Sequence, residues 1–412
     1  MANSKVAKRA VAVKGASRWF LLAAFITAFG TAMANLATAF VTYGDSRSVI
    51  TVVVVATAQT APIVFLAPIA IRLVPRFGAA RTFGISSFVL GIAALVVAIV
   101  TTMGRLSVTT LFLWSLTTGI IIGLTSPALP MFIRQLAPEG KVPEYNAMVF
   151  RSRSIAMLLG LVAGGAILSG LGPSWVFGLD ALSFVATTVI GLTQSEKRQV
   201  MENRPPSLSD GMNVISRMPN LRAVFLACAA LMIFVGPLGY LLPAIALEIS
   251  PRPELLSLFQ AAIVFGGVMV VFFVRTLHKH FQWSLVTRGC CAVSAAGLIW
   301  LSLIQRSPQN GVFIVGLTFV TLVSIGLAYN IEYSVLSSLV QTGTPENYRS
   351  SIFACWSIVV GVLVPIGGFA VGAIAQNVTV GWALFFVGVG MILLAIFGKM
   401  LHLFSPLDVE SE

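Results

Sequence analysis

The stretch that decides the fold is residues 82–104, which read TFGISSFVLGIAALVVAIVTTMG and contain no charged residue. A helix needs about 20 apolar residues to cross the hydrocarbon core of a bilayer. Lipid offers no hydrogen-bond partner to backbone N–H and C=O groups, so a stretch of this kind must be helical inside a membrane. Residues 82–104 therefore predict a transmembrane helix.

Similar stretches recur along the whole chain of 412 residues, which is 57% hydrophobic and only 10% charged. Soluble proteins carry about 25% charged residues, so this composition excludes a soluble enzyme, a disordered chain and a nucleic-acid-binding domain. We predict an all-α integral membrane fold of twelve transmembrane helices. The predicted spans are 18–43, 49–71, 82–104, 107–133, 146–170, 174–193, 221–247, 254–275, 285–304, 311–338, 350–376 and 380–403.

The longest hydrophilic interruption divides the chain into two halves. We predict an N-terminal six-helix bundle at 1–193, a cytoplasmic linker at 194–220 with a short surface helix over 207–218, and a C-terminal six-helix bundle at 221–412. The halves repeat weakly. Gly164-Gly165 and Gly367-Gly368 are 203 residues apart, as are Arg72 and Arg275. These offsets indicate duplication of a six-helix unit, with the two bundles related by pseudo-symmetry.

The distribution of basic residues predicts the orientation. If both termini and the linker are cytoplasmic, 22 of the 26 basic residues lie inside, and the outside holds Arg47, Arg105, Arg252 and Arg306. Such an excess of Lys and Arg marks cytoplasmic loops. We therefore expect a multi-pass protein of the inner or plasma membrane with cytoplasmic termini. The net charge of +12 then needs no nucleic-acid partner, because it matches an anionic leaflet.

Three motifs resemble those of the major facilitator superfamily. Arg76-Phe77-Gly78 with Arg81 resembles the loop that follows span two in that family. Gly160-Leu161-Val162-Ala163-Gly164-Gly165 resembles the antiporter motif of span five, and Pro365-Ile366-Gly367-Gly368 resembles its copy in span eleven. Within the superfamily, the chain looks most like the drug:proton antiporter branch that contains enterobactin exporters and macrolide efflux proteins.

The resemblance implies a central cavity lined by spans one, four, seven and ten, with alternating access. Span one carries Thr27, Thr31, Asn35, Thr38 and Thr42 on one helical face. We expect Thr31 and Asn35 to contact substrate or protons, although threonine hydroxyls also bond to their own helix and pack between helices. Gly160, Gly164 and Gly165 form a face for close helix packing, which is compatible with a moving interface.

Glu332 is the main candidate for proton coupling or substrate binding. It lies nine residues before Gln341, which is about 13 Å inside span ten at 1.5 Å per residue. An acid at such depth is costly and is retained mainly where it pairs or functions. Tyr329 and Tyr333 are close enough along the helix to hydrogen-bond to it, and Asn330 is a further candidate. The alternative is a structural glutamate held by a basic or tyrosine partner.

Other charged residues are candidates for gating or charge pairing, namely Arg151, Arg153, Asp180 and Arg76. Arg151 and Arg153 enter span five from the cytoplasm and can instead snorkel to the headgroups. Asp180 lies inside span six, where a structural polar anchor or a partner for a span-five arginine is the alternative.

The resulting expectation is a secondary active transporter that exports an amphiphilic small molecule, a siderophore or a hydrophobic drug, by proton antiport. We predict no catalytic residues, no metal and no cofactor, with the proton gradient as the energy source, because no phosphate-binding loop is present. We expect a monomer in the lipid bilayer. The alternatives are a proton-coupled siderophore or nutrient importer of the same fold and a non-transporting receptor or scaffold.

Overall fold

The computed structural model describes residues 2–137, 141–194, 208–280, 283–305 and 311–400. Within these ranges the regular secondary structure is helical, and no strand occurs. The helices are α1 (Ala2–Ser46), α2 (Val49–Phe77), α3 (Ala79–Thr102), α4 (Val108–Thr125), α5 (Ala128–Leu136), α6 (Val142–Gly170), α7 (Pro173–Thr193), α8 (Leu208–Arg217), α9 (Pro219–Phe234), α10 (Leu238–Ile249), α11 (Pro253–His280), α12 (Trp283–Gln305), α13 (Val312–Gly343), α14 (Arg349–Asn377) and α15 (Val380–Met400), with a 3₁₀ turn at Glu346–Tyr348.

Eleven helical segments of the described chain are long and apolar enough to cross a membrane. A twelfth apolar segment, Val380–Leu393, is shorter. The prediction of an all-α membrane fold with about twelve spans is therefore confirmed, and the chain is a multi-pass membrane protein.

Two predicted spans are interrupted, which the hydropathy pattern did not show. Span four ends at Thr125, and after a turn at Ser126–Pro127 the chain continues as α5. Span seven is divided at residues 235–237 into α9 and α10. Pro127 and Pro237 are the last residues of these two turns. Proline lacks a backbone N–H and cannot continue an α-helical hydrogen-bond ladder, which accounts for the breaks.

The third helix shows how side chains are distributed in a membrane protein. Phe88, Leu95 and Ile99 lie on its exposed face, and Phe88 is 55% exposed. The buried face of α3 carries small residues, among them Gly84 and Ala94. In lipid, large apolar side chains belong outside and small residues at helix contacts, because small residues let backbones approach closely.

The chain divides into two compact units, Met1–Asp45 with Val55–Glu202 and Ser46–Val54 with Asn203–Glu412. Residues 195–207 of the predicted linker at 194–220 lie outside the described residues. The described part contains α8, where a short helix over 207–218 is predicted. In the second unit α8 lies against α14, because a Cβ on Gly211 would be 2.9 Å from the Ser351 carbonyl carbon.

The two units contain the same close helix contacts. In the first unit α6 lies against α1, where a Cβ on Gly164 would be 3.1 Å from Met33 Cα. In the second unit α14 lies against α9, where a Cβ on Gly367 would overlap the Ile233 carbonyl oxygen. The first contact joins span five to span one, and the second joins span eleven to span seven. The glycines that indicated the repeat therefore mark equivalent contacts.

Two further pairings repeat in the same way. Glycines bring α4 against α2 in the first unit and α13 against α11 in the second, at Gly119 and Gly326 respectively. Glycines also bring α3 against α7 at Gly84, and α15 against α12 at Gly388. These three helix pairings of the first unit therefore have counterparts in the second, as duplication of a six-helix unit predicts.

Candidate functional site

The strongest candidate site surrounds the carboxyl group of Glu332, which lies on α13 inside the second unit. The Glu332 side chain is only 1% exposed. Cys291 of α12 donates a hydrogen bond from Sγ to Oε1 over 3.4 Å. The second carboxyl oxygen, Oε2, is buried and has no hydrogen-bond partner among the described residues. The glutamate thus has one weak donor and one unsatisfied oxygen.

The two neighbouring tyrosines have other partners. Tyr329 donates its hydroxyl to Sδ of Met232 on α9, over 3.6 Å. The Tyr333 hydroxyl accepts a hydrogen bond of 3.4 Å from the indole N–H of Trp356 on α14. The hydrogen bonds that the sequence suggested between these tyrosines and Glu332 are therefore not formed in this structure. The reason is that each hydroxyl finds a partner on an adjacent helix, while the carboxyl is directed toward α12.

Sequence reasoning missed the thiol that contacts Glu332. Cys291 is fully buried, and Cys228 and Cys290 also lie within electrostatic reach of the carboxyl. The available signal was the Cys290-Cys291 pair in the middle of an apolar span. Periodicity alone cannot find the contact, because it depends on how α12 and α13 are rotated against each other.

No basic side chain forms an ion pair with Glu332 in the described part of the second unit. Removing an isolated carboxylate from water is expensive, and a buried acid without a cationic partner is least costly in its neutral form. The surroundings of Glu332 consist of thiols, tyrosines and apolar side chains, which suit a neutral carboxyl. The site can therefore hold a proton, provided that water reaches it in another conformation.

An apolar groove of about 490 Å³ lies beside this site, between α12 and α13. Its lining includes Cys290 and Ile331, which directly precede Cys291 and Glu332 in the sequence. The groove carries no charged side chain; it is lined by Leu285, Val286, Gly289, Cys290, Val293, Ser324, Leu327, Ala328 and Ile331. Such a surface fits an apolar group, and the neighbouring face of α13 carries the carboxyl.

Asn330 points away from Glu332 and toward α11. Its side-chain N–H donates to the Gly326 carbonyl one turn earlier, over 2.8 Å. The same amide lies against Gly267, where a Cβ would be 2.9 Å from Asn330 Nδ2. The described contacts of Asn330 are therefore helix–helix contacts, and its predicted part in binding stays a prediction.

The polar face of span one is divided among several partners within the first unit. Asn35 accepts a hydrogen bond of 3.5 Å from the side-chain amide of Gln59 on α2. Thr27 donates to the backbone carbonyl of Ser183 on α7, over 3.0 Å. Thr38 donates to the Ala34 carbonyl of its own helix, over 2.8 Å. Thr31 lies close to the carboxyl group of Asp180.

Asp180 is the second acid buried inside a span. Its side chain is 1% exposed, and Ser183 Oγ lies 3.5 Å from Oδ1. Oδ2 has no hydrogen-bond partner among the residues that the structure describes. The predicted candidates for an arginine partner, Arg151 and Arg153, are both exposed on α6. The structure thus brings Asp180 together with Thr31, and not with these arginines.

The remaining candidates lie elsewhere in the first unit. Arg76 is exposed near the end of α2, and it borders a groove of about 280 Å³ together with Arg72, Ile69 and Leu73. Gly160 and Gly164 lie against α1, and Gly165 is also buried. Gating by Arg76, Arg151 and Arg153 and a moving interface at the glycines stay predictions.

The chemistry available at these sites is protonation and non-covalent binding. The described residues contain no group of three His, Cys, Asp or Glu side chains that could hold a metal ion. Acids buried within membrane-spanning helices often mark the path of a substrate, ion or proton. A family model of the Major Facilitator Superfamily matches residues 20–367, and the chain belongs to this superfamily.

Solved structures of other transporters share this fold. The nucleoside transporter NupG superposes with a TM-score of 0.71 at 12% identity, covering 94% of this chain and 99% of that one. The xylose transporter XylE from E. coli, in an inward open conformation, gives 0.69 at 15% identity, covering 97% and 98%. A POT family transporter in complex with a thioalcohol-conjugated peptide gives 0.72 at 14% identity, covering 96% and 97%.

At these identities the likeness shows the fold alone. Comparison with curated protein sequences found no match. Membership of the superfamily indicates a transporter of small molecules and not an enzyme.

Proposed function

We propose that this protein is a proton antiporter that exports an amphiphilic small molecule, a siderophore or a hydrophobic drug, across the inner or plasma membrane. Both termini are cytoplasmic in this proposal, and the monomer is the working unit. The observation that carries it is the buried carboxyl of Glu332, which has an unsatisfied oxygen and no cationic partner. The export of siderophores or drugs is drawn from the resemblance of the span-five motif to that branch.

Proton coupling follows from what burial does to a carboxyl group. In the buried arrangement Glu332 is neutral, because an isolated charge in this interior costs several kcal/mol. When alternating access brings water to the site, the carboxyl can ionise and release its proton. One conformational cycle then moves the proton from one side of the membrane to the other.

An amphiphilic substrate fits the apolar groove between α12 and α13. A groove of about 490 Å³ without charged lining accepts an apolar ring or chain. The Glu332 carboxyl does not line this groove, and it lies buried next to Ile331 of the groove wall. Protonation and substrate binding can then compete if alternating access opens the carboxyl to the groove, because a polar substrate group and a proton both satisfy the same carboxyl oxygens.

Proteoliposomes with an imposed pH gradient test the proposal. Ethidium suits this assay because its permanent charge prevents passive trapping by pH, and an iron-free siderophore serves as the second probe. An antiporter accumulates the probe in vesicles with an acidic lumen, since protons leave as substrate enters. An importer driven by symport accumulates it when the exterior is acidic, so the sign of the effect separates the two directions.

The variant Glu332→Gln keeps the shape of the side chain and removes its titration. We expect it to lose a large part of the accumulation that the gradient drives. Glu144→Gln is the matched control, because Glu144 is exposed at the start of α6. Transport that is independent of the pH gradient in the unmodified protein would contradict the proposal.

A further inference from the structure

The first unit contains a buried acid whose surroundings resemble those of Glu332. Asp180 of α7 is 1% exposed, and its Oδ2 has no hydrogen-bond partner among the described residues. Each unit thus holds one buried carboxyl with one unsatisfied oxygen. An acid in a span with no charge partner is costly, and a merely structural role would be served better by an amide or a hydroxyl.

Hydroxyl groups from two helices surround the Asp180 carboxyl. Ser183 of α7 lies 3.5 Å from Oδ1, and the Thr31 side chain of α1 lies close to the same carboxyl. A second hydroxyl of α1, Thr27, donates to the Ser183 carbonyl and lies 3.3 Å from the Thr187 hydroxyl. The carboxyl is therefore linked to the contact between α1 and α7 by groups that can both donate and accept.

The close approach of α1 determines what this site can bind. A Cβ on Gly30 would be 2.8 Å from Asp180 Oδ1 and 2.5 Å from Ser183 Oγ. The backbone of α1 therefore lies directly on the carboxyl and leaves little space beside it. A metal cation needs several oxygen ligands at more than 2 Å around its own volume. A proton needs no space, so it is the ligand that fits.

Among the residues that the structure describes, the groups facing Asp180 include no other titratable side chain. From α1 they are Thr27, Gly30 and Thr31. The only charged residue of α3 is Arg81, in its first turn, whereas Gly91 of α3 already lies opposite Phe184. On α4, Trp114 packs on Phe177, and this helix contains no charged residue. The charged residues of α6 are confined to its first half, and Arg151 and Arg153 are exposed.

We propose that Asp180 is a second proton-binding site, located in the first unit, and that the transporter moves one proton on each buried acid in a cycle. The inference rests on the proposed function for its link to transport, but the binding of the proton stands by itself. Protonation forms an O–H bond on the carboxyl from a proton of water, and deprotonation returns it. The ionised carboxylate would attract the hydroxyl protons of Thr31 and Ser183 more strongly than the neutral carboxyl does. The two protonation states would therefore favour different packing of α1 on α7.

Infrared difference spectroscopy of the protein in lipid tests the site directly. The C=O band of a protonated carboxyl should disappear on raising the pH in two components, one for each buried acid. Asp180→Asn should remove one component and Glu332→Gln the other. Asp45→Asn is the matched control, because Asp45 is exposed at the end of α1, and it should change neither. Persistence of both components in Asp180→Asn would overturn the proposal.

Transport stoichiometry provides the second readout. The ratio of protons to substrate, measured from the pH gradient that just balances a substrate gradient, should fall by about half in Asp180→Asn. An unchanged ratio would overturn the coupling role. If Asp180→Asn fails to fold, Thr31→Val is the second variant, and it must shift the pH at which the Asp180 component titrates. If the proposed antiport is wrong, transport will be independent of the pH gradient, but the two infrared components will be unaffected. The failure of the proposed function can therefore be told apart from the failure of Asp180 as a proton-binding site.

Discussion

The thiol of Cys291 on α12 donates a hydrogen bond to Oε1 of Glu332 on α13, over 3.4 Å. Both side chains are buried, and Oε2 of the same carboxyl has no partner among the described residues. A thiol is a weak donor, so it satisfies the carboxyl only in part. The glutamate therefore retains a capacity to bind a proton or a polar group of a substrate.

The hydrogen bond between Cys291 and Glu332 should be measurable as a coupling energy. Replacing Cys291 with Ala removes the donor, and we expect a destabilisation of about 1 kcal/mol, the usual net contribution of one hydrogen bond. In the Glu332→Leu background, which offers the thiol no acceptor, the same replacement should cost less. Thermal unfolding of the four proteins in detergent forms the double-mutant cycle. Additive effects of the two replacements would contradict a direct interaction.

The groove between α12 and α13 should be required for the apolar part of the substrate. A Cβ on Gly289 would meet nothing within 4 Å, so Gly289→Leu can be built without a clash and places a side chain in the groove. We expect the half-saturating concentration of ethidium to rise about tenfold, which corresponds to about 1.4 kcal/mol of lost binding. Gly316→Leu is the matched control, since Gly316 on α13 is also open and lies outside the groove. Equal effects of the two variants would argue against the groove.

The contact between α6 and α1 should tolerate no added side chain. A Cβ on Gly160 would overlap the Phe29 carbonyl oxygen, which belongs to backbone and cannot move aside cheaply. Gly160→Ala should therefore destabilise the protein by about 1–3 kcal/mol, as overpacking does elsewhere. Gly178→Ala is the control on α7, because nothing lies within 4 Å of its added Cβ. The thermal unfolding midpoints of the two variants measure this difference. Equal midpoints for Gly160→Ala and Gly178→Ala would contradict the close packing.

The orientation can be tested with single introduced cysteines. The four native cysteines are buried, so a membrane-impermeant maleimide should not label the unmodified protein. Arg105→Cys lies in the exposed turn after α3 and should be labelled in intact cells. Ser216→Cys on α8 is exposed as well and should be labelled only after permeabilisation. The reverse pattern would mean that the distribution of basic residues does not set the orientation of this protein.

Hydropathy and charge were sufficient for the helical membrane fold, and the glycine pairs at 164–165 and 367–368 located the internal repeat. They succeed because lipid imposes a length on each span and duplication preserves close contacts. The breaks before α5 and α10 were missed, since each turn is only two or three residues long and apolar residues continue on both sides of it. The partner of Glu332 was also missed. It depends on the rotation of α12 against α13, which no pattern within one helix encodes.

The most direct test of the account is proton movement driven by substrate. Proteoliposomes without a pH gradient receive an outward gradient of ethidium, and a trapped dye reports the pH of the lumen. The unmodified protein should acidify the lumen as substrate leaves, because antiport brings protons in. Glu332→Gln should acidify it less for each ethidium molecule released, because only the proton on Asp180 still moves. Full acidification by Glu332→Gln would contradict the central claim that this buried glutamate carries the coupled proton.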